Sequence, residues 1–525
     1  MPPVSNDFSK IASALIKNFE ATKENDEGKK ISVNILVSKV ASYYEKLRTA
    51  MDYGNEETIL RRAIERILKR RLVLEADSKA LAEGLVRELV WAGYFADLTV
   101  PESIVDRVAK SIELFQNLKE QTVKRRLLKD VDVYELIIGL LSSEIDVILL
   151  PNKEKEAMSN FMFHVLKNSI EIVDDSKQTR DVQVYIAIRK NFDRDDAPFL
   201  RYKLFLQIFG KLSKENFEKV LDNFALGVNE IEYQLSYPKK DRVFNHIKKN
   251  TPPFLILYDL LMLEKGHVRK LAKEPEALKN RVFEICRARY KNVRDKITTA
   301  IIRSFIFILA TKAFIALFVE GAFERLFYGQ VQWFSIAINT TVPPLLMIFV
   351  GLFIQTPGNK NSQKIYQDVL KLLFEENPQI TPTLSLKIKS SSAVTLRDRV
   401  FYILWLLSII LVFGIFVVVL TKLHLNPISQ AVFMFFVAII SFLSYRIYQT
   451  ANTYTVIFKQ NITTPIIDFF FVPIIRVGRR FTEGIAQINF ILIIIDFIIE
   501  MPFKGLVGFF EQWFSFLAKK REELE

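Results

Sequence analysis

Between residues 401 and 420 the chain reads FYILWLLSIILVFGIFVVVL, twenty consecutive residues without a charge. As a helix this stretch rises about 30 Å, the thickness of a bilayer's hydrocarbon core. No turn signal interrupts it, so it decides the class of the protein: a chain crossing a membrane on helices. Working outward, three further apolar stretches approach the same length, at about Ile301–Val319, Trp333–Phe353 and Pro427–Tyr445. Four spans are expected.

The links between them set the orientation, because Lys and Arg are retained on the cytoplasmic side. The first and third links carry one such residue each, Arg325 and Lys422, whereas the second carries seven, from Lys360 to Arg399. Lys291, Arg294 and Lys296 precede the first span, and Arg446 follows the last. Both flanks and the second link are therefore expected in the cytoplasm. The opening MPPVSNDFSK lacks the basic-then-apolar pattern of a secretory signal, which agrees with a cytoplasmic N-terminus. The whole reads as a multi-pass protein of the cell's inner (cytoplasmic) membrane with both termini inside.

Ahead of the spans, helical signals dominate. In GNEETILRRAIERILKRRLVLE, Asn55 is placed as an N-cap, and Ile59, Leu60, Ala63, Ile64, Ile67 and Leu68 recur at helical spacing. In TVPES, Thr99 and Glu102 have the spacing of a capping box. Further helices are expected over VYELIIGLLSSEIDVILL, KEAMSNFMFHVLKNSIEIV, PFLRYKLFLQIFGKL and KENFEKVLDNFALGV. DVQVYIAIRK is the exception, since Val182, Val184, Ile186 and Ile188 alternate as in a strand. The expected class is all-α: a helical cytoplasmic domain, a polytopic membrane domain, then C-terminal amphipathic or re-entrant helices. The expected segments are 1–150 and 151–238 as helical subdomains, 239–300 as a basic juxtamembrane segment, 301–450 as the membrane domain and 451–525 as interfacial helices with a basic tail.

The net charge of +13 at first suggests a nucleic-acid partner. Its location argues otherwise: residues 1–238 sum to about −2, while Lys239–Lys296 alone carry about +9. Clustered cations beside a span attract anionic lipid headgroups. Arg287, Arg289, Lys291, Arg294 and Lys296 are candidates for that contact, with Arg476, Arg479 and Arg480 of RVGRR. The expected partners are the bilayer, its anionic headgroups and a protein held by the helical domain.

One cysteine, Cys286, excludes an internal disulfide framework, and four scattered histidines give no zinc pattern. The acidic clusters Glu171–Asp175 and Asp193–Asp196 come without a phosphate-cradling loop and read as turns and caps. The basic face from Arg61 to Arg71 reads as a helix surface paired with Glu65 and with neighbours. No cofactor, metal or enzymatic constellation is expected.

Polar residues inside the apolar half are the remaining candidates. Arg303 and Lys312 lie in the first span, and Arg303 is near enough to the cytoplasmic end to snorkel. In the second span, Asn339, Thr340 and Thr341 precede Pro343 and Pro344, a pair expected to bend or break the helix. Farther on stand Asp468, Asn489, Asp496 and Glu500, the last three forming with Glu511 a polar stripe about 60° wide. That stripe suits either a helix lying at the headgroups or one turned into the bundle, where Lys312 is the partner expected for Asp496 or Glu500. Two functions follow: a membrane-anchored scaffold, or a transporter using the proline break and these charges.

Overall fold

The computed structural model describes residues 8–20, 29–33, 38–39, 41–43, 45–46, 56–74, 77–128, 130–387, 396–457, 472, 474–481, 509 and 513. Among them the fold is all-helical apart from two three-residue strands and one isolated bridge. The chain divides into two compact units, one holding 8–248 with 376–387, the other 249–375 with 396–481.

The first unit begins with α1 (Lys10–Glu20), α2 (Ile59–Leu74), α3 (Ser78–Trp91), α4 (Ser103–Lys124), α5 (Asp130–Leu149) and α6 (Lys153–Leu166). There follow β1 (Ile170–Ile172), α7 (Lys177–Ile188), a π turn at Arg189–Asp193, α8 (Ala197–Phe209), α9 (Phe217–Leu235) and α10 (Lys240–Asn250), whose last two residues open the second unit. Helix α5 is central, packed by α2, α4 and α8. Ile137, Ile138, Leu140, Leu141 and Ile145 fill its middle and are all buried. Burial around most of the helix removes the polar face that an outer helix keeps.

Several sequence expectations change here. DVQVYIAIRK is helix rather than strand: Ser176 Oγ accepts from Thr179 N at 3.0 Å to cap α7. Gln183, buried at 1% exposure, then donates to the carbonyl of Gln234 at 2.8 Å. A cap and a tertiary partner thus outweigh β-branched alternation. The helix expected through Val173 stops at Leu166, and Ile170–Ile172 pair in parallel with β2 (Leu384–Leu386). At Thr99 the capping box does not form; Thr99 Oγ1 donates to the Ala96 carbonyl at 2.6 Å, and Glu102 makes no side-chain cap. Here the backbone of 29–31 takes up neighbouring groups, with Ile31 N donating to Val100 O and Glu102 N to Lys29 O. Asn55 lies outside the described residues.

The second unit continues with α11 (Pro252–Leu263), α12 (Val268–Leu271) and α13 (Pro275–Ile315), then a π turn at Ala316–Glu320 leading into α14 (Gly321–Tyr328). Next come α15 (Trp333–Phe353), α16 (Asn359–Phe374), α17 (Leu396–Lys422), α18 (Pro427–Ala451) and a helical stretch at 474–481. Among the described residues four helices are long and apolar enough to cross a membrane: Pro275–Phe327, Trp333–Phe353, Arg399–Lys422 and Pro427–Ala451. The first is far longer than its apolar stretch, because α13 begins as a polar helix packed on α11 and α16. Val293, Ile297, Ile308, Met347, Phe436, Ile440 and Ile447 make the core shared by α13, α15 and α18.

The proline pair does not break its helix. Pro343 and Pro344 remove the donors that would reach the Asn339 and Thr340 carbonyls, yet α15 runs without interruption from Trp333 to Phe353. Both rings are buried, and close packing such as Gly351 against Ile301 holds α15 against α13. Neighbouring helices carry a proline-containing span in this way.

Candidate intramembrane ion-pair site

Lys312 lies in the last turn of α13, facing inward and fully buried. Its Nζ donates to Asn339 Oδ1 at 2.7 Å and to Glu320 Oε1 at 3.2 Å, and stands 5.0 Å from the centre of the Phe436 ring. The Lys312–Glu320 pair has no exposed side-chain surface on either partner. Sequence reasoning assigned Lys312 to Asp496 or Glu500; the structure pairs it with Glu320, and both of those acids lie outside the described residues.

The π turn explains the pairing. In a regular helix, residues eight apart stand about 80° apart around the axis. One extra residue taken up in a π turn cuts that rotation by about 100°, leaving the two side chains within about 20° of one another. The turn at Ala316–Glu320 lies between Lys312 and Glu320 and brings both to one face.

The remaining valences close within the cluster. Asn339 Nδ2 donates to Glu320 Oε2 at 2.5 Å and to the Ser429 carbonyl at 3.1 Å. Ser429 Oγ donates to the same Glu320 oxygen at 3.0 Å. One turn on, buried Glu324 accepts from Gln332 N and from Asn426 Nδ2, both at 2.7 Å. Asn426 Oδ1 in turn caps α18 by accepting from Ser429 N at 2.8 Å. Glu324 thus meets the starts of both α15 and α18, and Glu320 the start of α18, where helix dipoles favour negative charge.

The other expected polar residues are placed differently. Arg303 is exposed on α13. Thr341 Oγ1 donates to its own helix at the Ala337 carbonyl, 2.7 Å away. The hydroxyls of Thr340 and of Ser335, on the same helix, are buried without a hydrogen-bond partner. Asp468 and Asn489 lie outside the described residues. Of the expected network, Lys312 and Asn339 come together; Glu320, Glu324, Ser429 and Asn426 were not anticipated.

Among the candidate lipid contacts, Arg289 is engaged by Asp259, with Nε–Oδ2 and Nη2–Oδ1 at 2.6 and 2.5 Å. Arg476 stacks 4.7 Å above the Trp405 ring. Arg294 Nη2 donates to Thr356 Oγ1 at 3.3 Å, and Arg287 Nε to its own helix at Phe283 O, 3.4 Å away. Arg287, Lys291, Arg294, Lys296, Arg479 and Arg480 are exposed.

The first unit holds a second charged cluster. Arg61, 2% exposed, donates to Asp196 Oδ2 at 2.9 Å, Glu65 Oε2 at 2.6 Å and Ser142 Oγ at 3.2 Å. Arg189 meets Glu156, Asp193 and Asp195 at 2.9, 3.1 and 2.7 Å. Burial pushes the Asp146 carboxyl up to about 7, with Arg61 opposing the shift and Asp195 and Asp196 adding to it. The same cause raises Asp193 to about 6. Asp196 also caps α8 through Phe199 N. The basic face of α2 is consumed in this way, with Arg66 on Glu45 and Arg70 and Arg71 on Glu88. Among the described residues no group of three or more His, Cys, Asp or Glu side chains is placed to hold a metal ion.

Comparison with known protein families, with curated proteins and with solved structures gives no match.

Proposed function

We propose that the protein is a non-enzymatic scaffold of the cell's inner membrane, in which a four-span anchor carries a helical domain that recruits a protein partner on the cytoplasmic side. The observation that carries this reading is the closure of the intramembrane cluster. Two of the three Lys312 N–H donors, the donors of Asn339 and Ser429 and both Glu320 oxygens are engaged within the cluster, and the remaining side of the ammonium faces the Phe436 ring. A network of that kind fixes neighbouring helices and leaves little to hold a cargo.

Strand pairing supports the orientation. Ile170–Ile172 precede the first apolar helix and Leu384–Leu386 follow the second, and the two pair directly. That pairing supports the reading in which both segments lie on one side of the membrane, as the loop charges also suggest. Exposed Arg294 and Lys296, nearest the first span, then meet the anionic cytoplasmic leaflet. Leu226 and Tyr233, two turns apart on α9 and 71% and 49% exposed, are the residues from which a partner is best sought.

The test is site-specific photo-crosslinking from Leu226 and Tyr233 in the full-length protein in cells. A discrete protein adduct is expected; crosslinks to nothing but solvent and lipid, there and across the other exposed positions of α9, overturn the reading. The transport alternative draws on the buried hydroxyls of Thr340 and Ser335 beside the ion pair. A water path there requires that Thr340→Cys react with a polar thiol reagent, whereas the scaffold reading expects it to stay unlabelled.

A further inference from the structure

The cations of this protein fall into two kinds. Arg61, Arg66, Arg70, Arg189, Arg201, Arg281 and Arg289 all have carboxylate partners. Lys296 and Arg303 are exposed on α13 and form no ion pair among the described residues, although the helix turns apolar from Ile301 onward. A cation left bare where a span enters the membrane is an expensive arrangement unless an anion comes to it.

The face on which they stand is continuous. At 100° per residue, Lys296, Thr299, Arg303, Phe307, Ala310 and Phe314 lie within about 80° around the helix, and all six are exposed. Lys296 and Arg303 are about 10 Å apart along the axis, so two long side chains leaning toward each other converge on one small anion. Between them on this side stand exposed Thr299 and half-buried Ala300, whose small side chain leaves room. Below Arg303 the face is apolar for about 16 Å, close to the depth of one leaflet. Phe307 and Phe314 there are 62% and 61% exposed. The nearest acid on the helix, Asp295, is turned about 100° away from Lys296.

We propose that this face of α13 binds one anionic phospholipid, its phosphate held between Lys296 and Arg303 and an acyl chain laid along Phe307 and Phe314. The site rests on the reading of Ile301–Val319 as a span, and it deepens the headgroup contact by separating the cations that grip a lipid from those that do not. Arg287 and Lys291 lie about 21 Å and about 15 Å up the axis from Ile301, beyond a headgroup's reach.

The test uses the full-length protein, delipidated in detergent and titrated with phosphatidylglycerol, phosphatidylcholine or glycerol phosphate, with bound molecules counted by native mass spectrometry. Phosphatidylglycerol is expected to bind more tightly than the other two. Lys296→Gln with Arg303→Gln should weaken it about thirtyfold, while Arg287→Gln with Lys291→Gln leaves it unchanged. Phe307→Ala with Phe314→Ala should weaken the lipid without altering the response to glycerol phosphate. All substituted side chains are exposed, and unchanged thermal unfolding verifies that the variants are folded. Equal lipid affinity in the Lys296/Arg303 variant overturns the proposal. So does glycerol phosphate binding as tightly as the lipid, which marks a soluble-anion site, or an acidic protein that competes the lipid away. Release of the protein from membranes by alkaline carbonate would instead refute the span, a separable result.

Discussion

Lys312 and Glu320 form an ion pair with no exposed side-chain surface, eight residues apart on one helix and joined across a π turn. Removing either partner leaves the other charge buried, which typically costs about 3–5 kcal/mol. Lys312→Met and Glu320→Gln are each expected to destabilise the protein by that order in detergent unfolding. Lys312→Met combined with Glu320→Met should recover most of the loss, because no charge then remains to be solvated. Additive losses in the double variant would show that the two side chains do not act as a pair.

Asp146 gives the first unit a pH signature. Its carboxyl is raised by burial from 3.8 to about 7, so the folded protein holds that proton more tightly than the unfolded chain. Its contribution to stability is therefore greatest near pH 4, declines as the pH climbs toward 7 and is level above that. Asp146→Asn stays neutral throughout. The variant is expected to gain on the wild type progressively between pH 4 and 7, reaching at most about 4 kcal/mol. The raised carboxyls of Asp193 and Asp195 contribute in both proteins and cancel in the comparison. Parallel curves for the two proteins, read as denaturant midpoints from pH 4 to pH 8, would contradict this.

Two glycines offer a matched packing test. A Cβ at Gly478 would come within 1.9 Å of the Ala438 carbonyl oxygen on α18, whereas one at Gly414 on α17 would meet nothing within 4 Å. Gly478→Ala should force residues 474–481 off α18 and cost about 1–3 kcal/mol. Gly414→Ala should be neutral or stabilising by up to about 1 kcal/mol, since alanine is the better helix former. Thermal unfolding of the two variants in the same detergent distinguishes them, and a tolerant Gly478→Ala would contradict the close approach.

What could be read from the sequence depended on the range of the cause. Trp333–Phe353 was legible to the residue, because length and hydropathy are local properties. The strand mistaken over Val182–Ile188 and the helix carried past Leu166 failed for the opposite reason. Ser176 and Gln234 decide the first, and Leu384–Leu386, far along the chain, decide the second. Lys312 was legible as an oddity within an apolar run. Its partner was not, since Glu320 faces it only through a π turn that the residues 316–320 do not announce, and the Ser429 carbonyl that completes the site carries no sequence signal at all.

The proposal's central element is that four helices cross a membrane with the link from 354 to 387 on its cytoplasmic face. With buried Cys286 replaced by serine, single cysteines at Gln330, Lys422 and Lys360 can be probed with a membrane-impermeant maleimide in intact cells. Gln330→Cys and Lys422→Cys should label at once, and Lys360→Cys only after permeabilisation. Labelling of Lys360→Cys in intact cells at the rate of the other two would contradict the account.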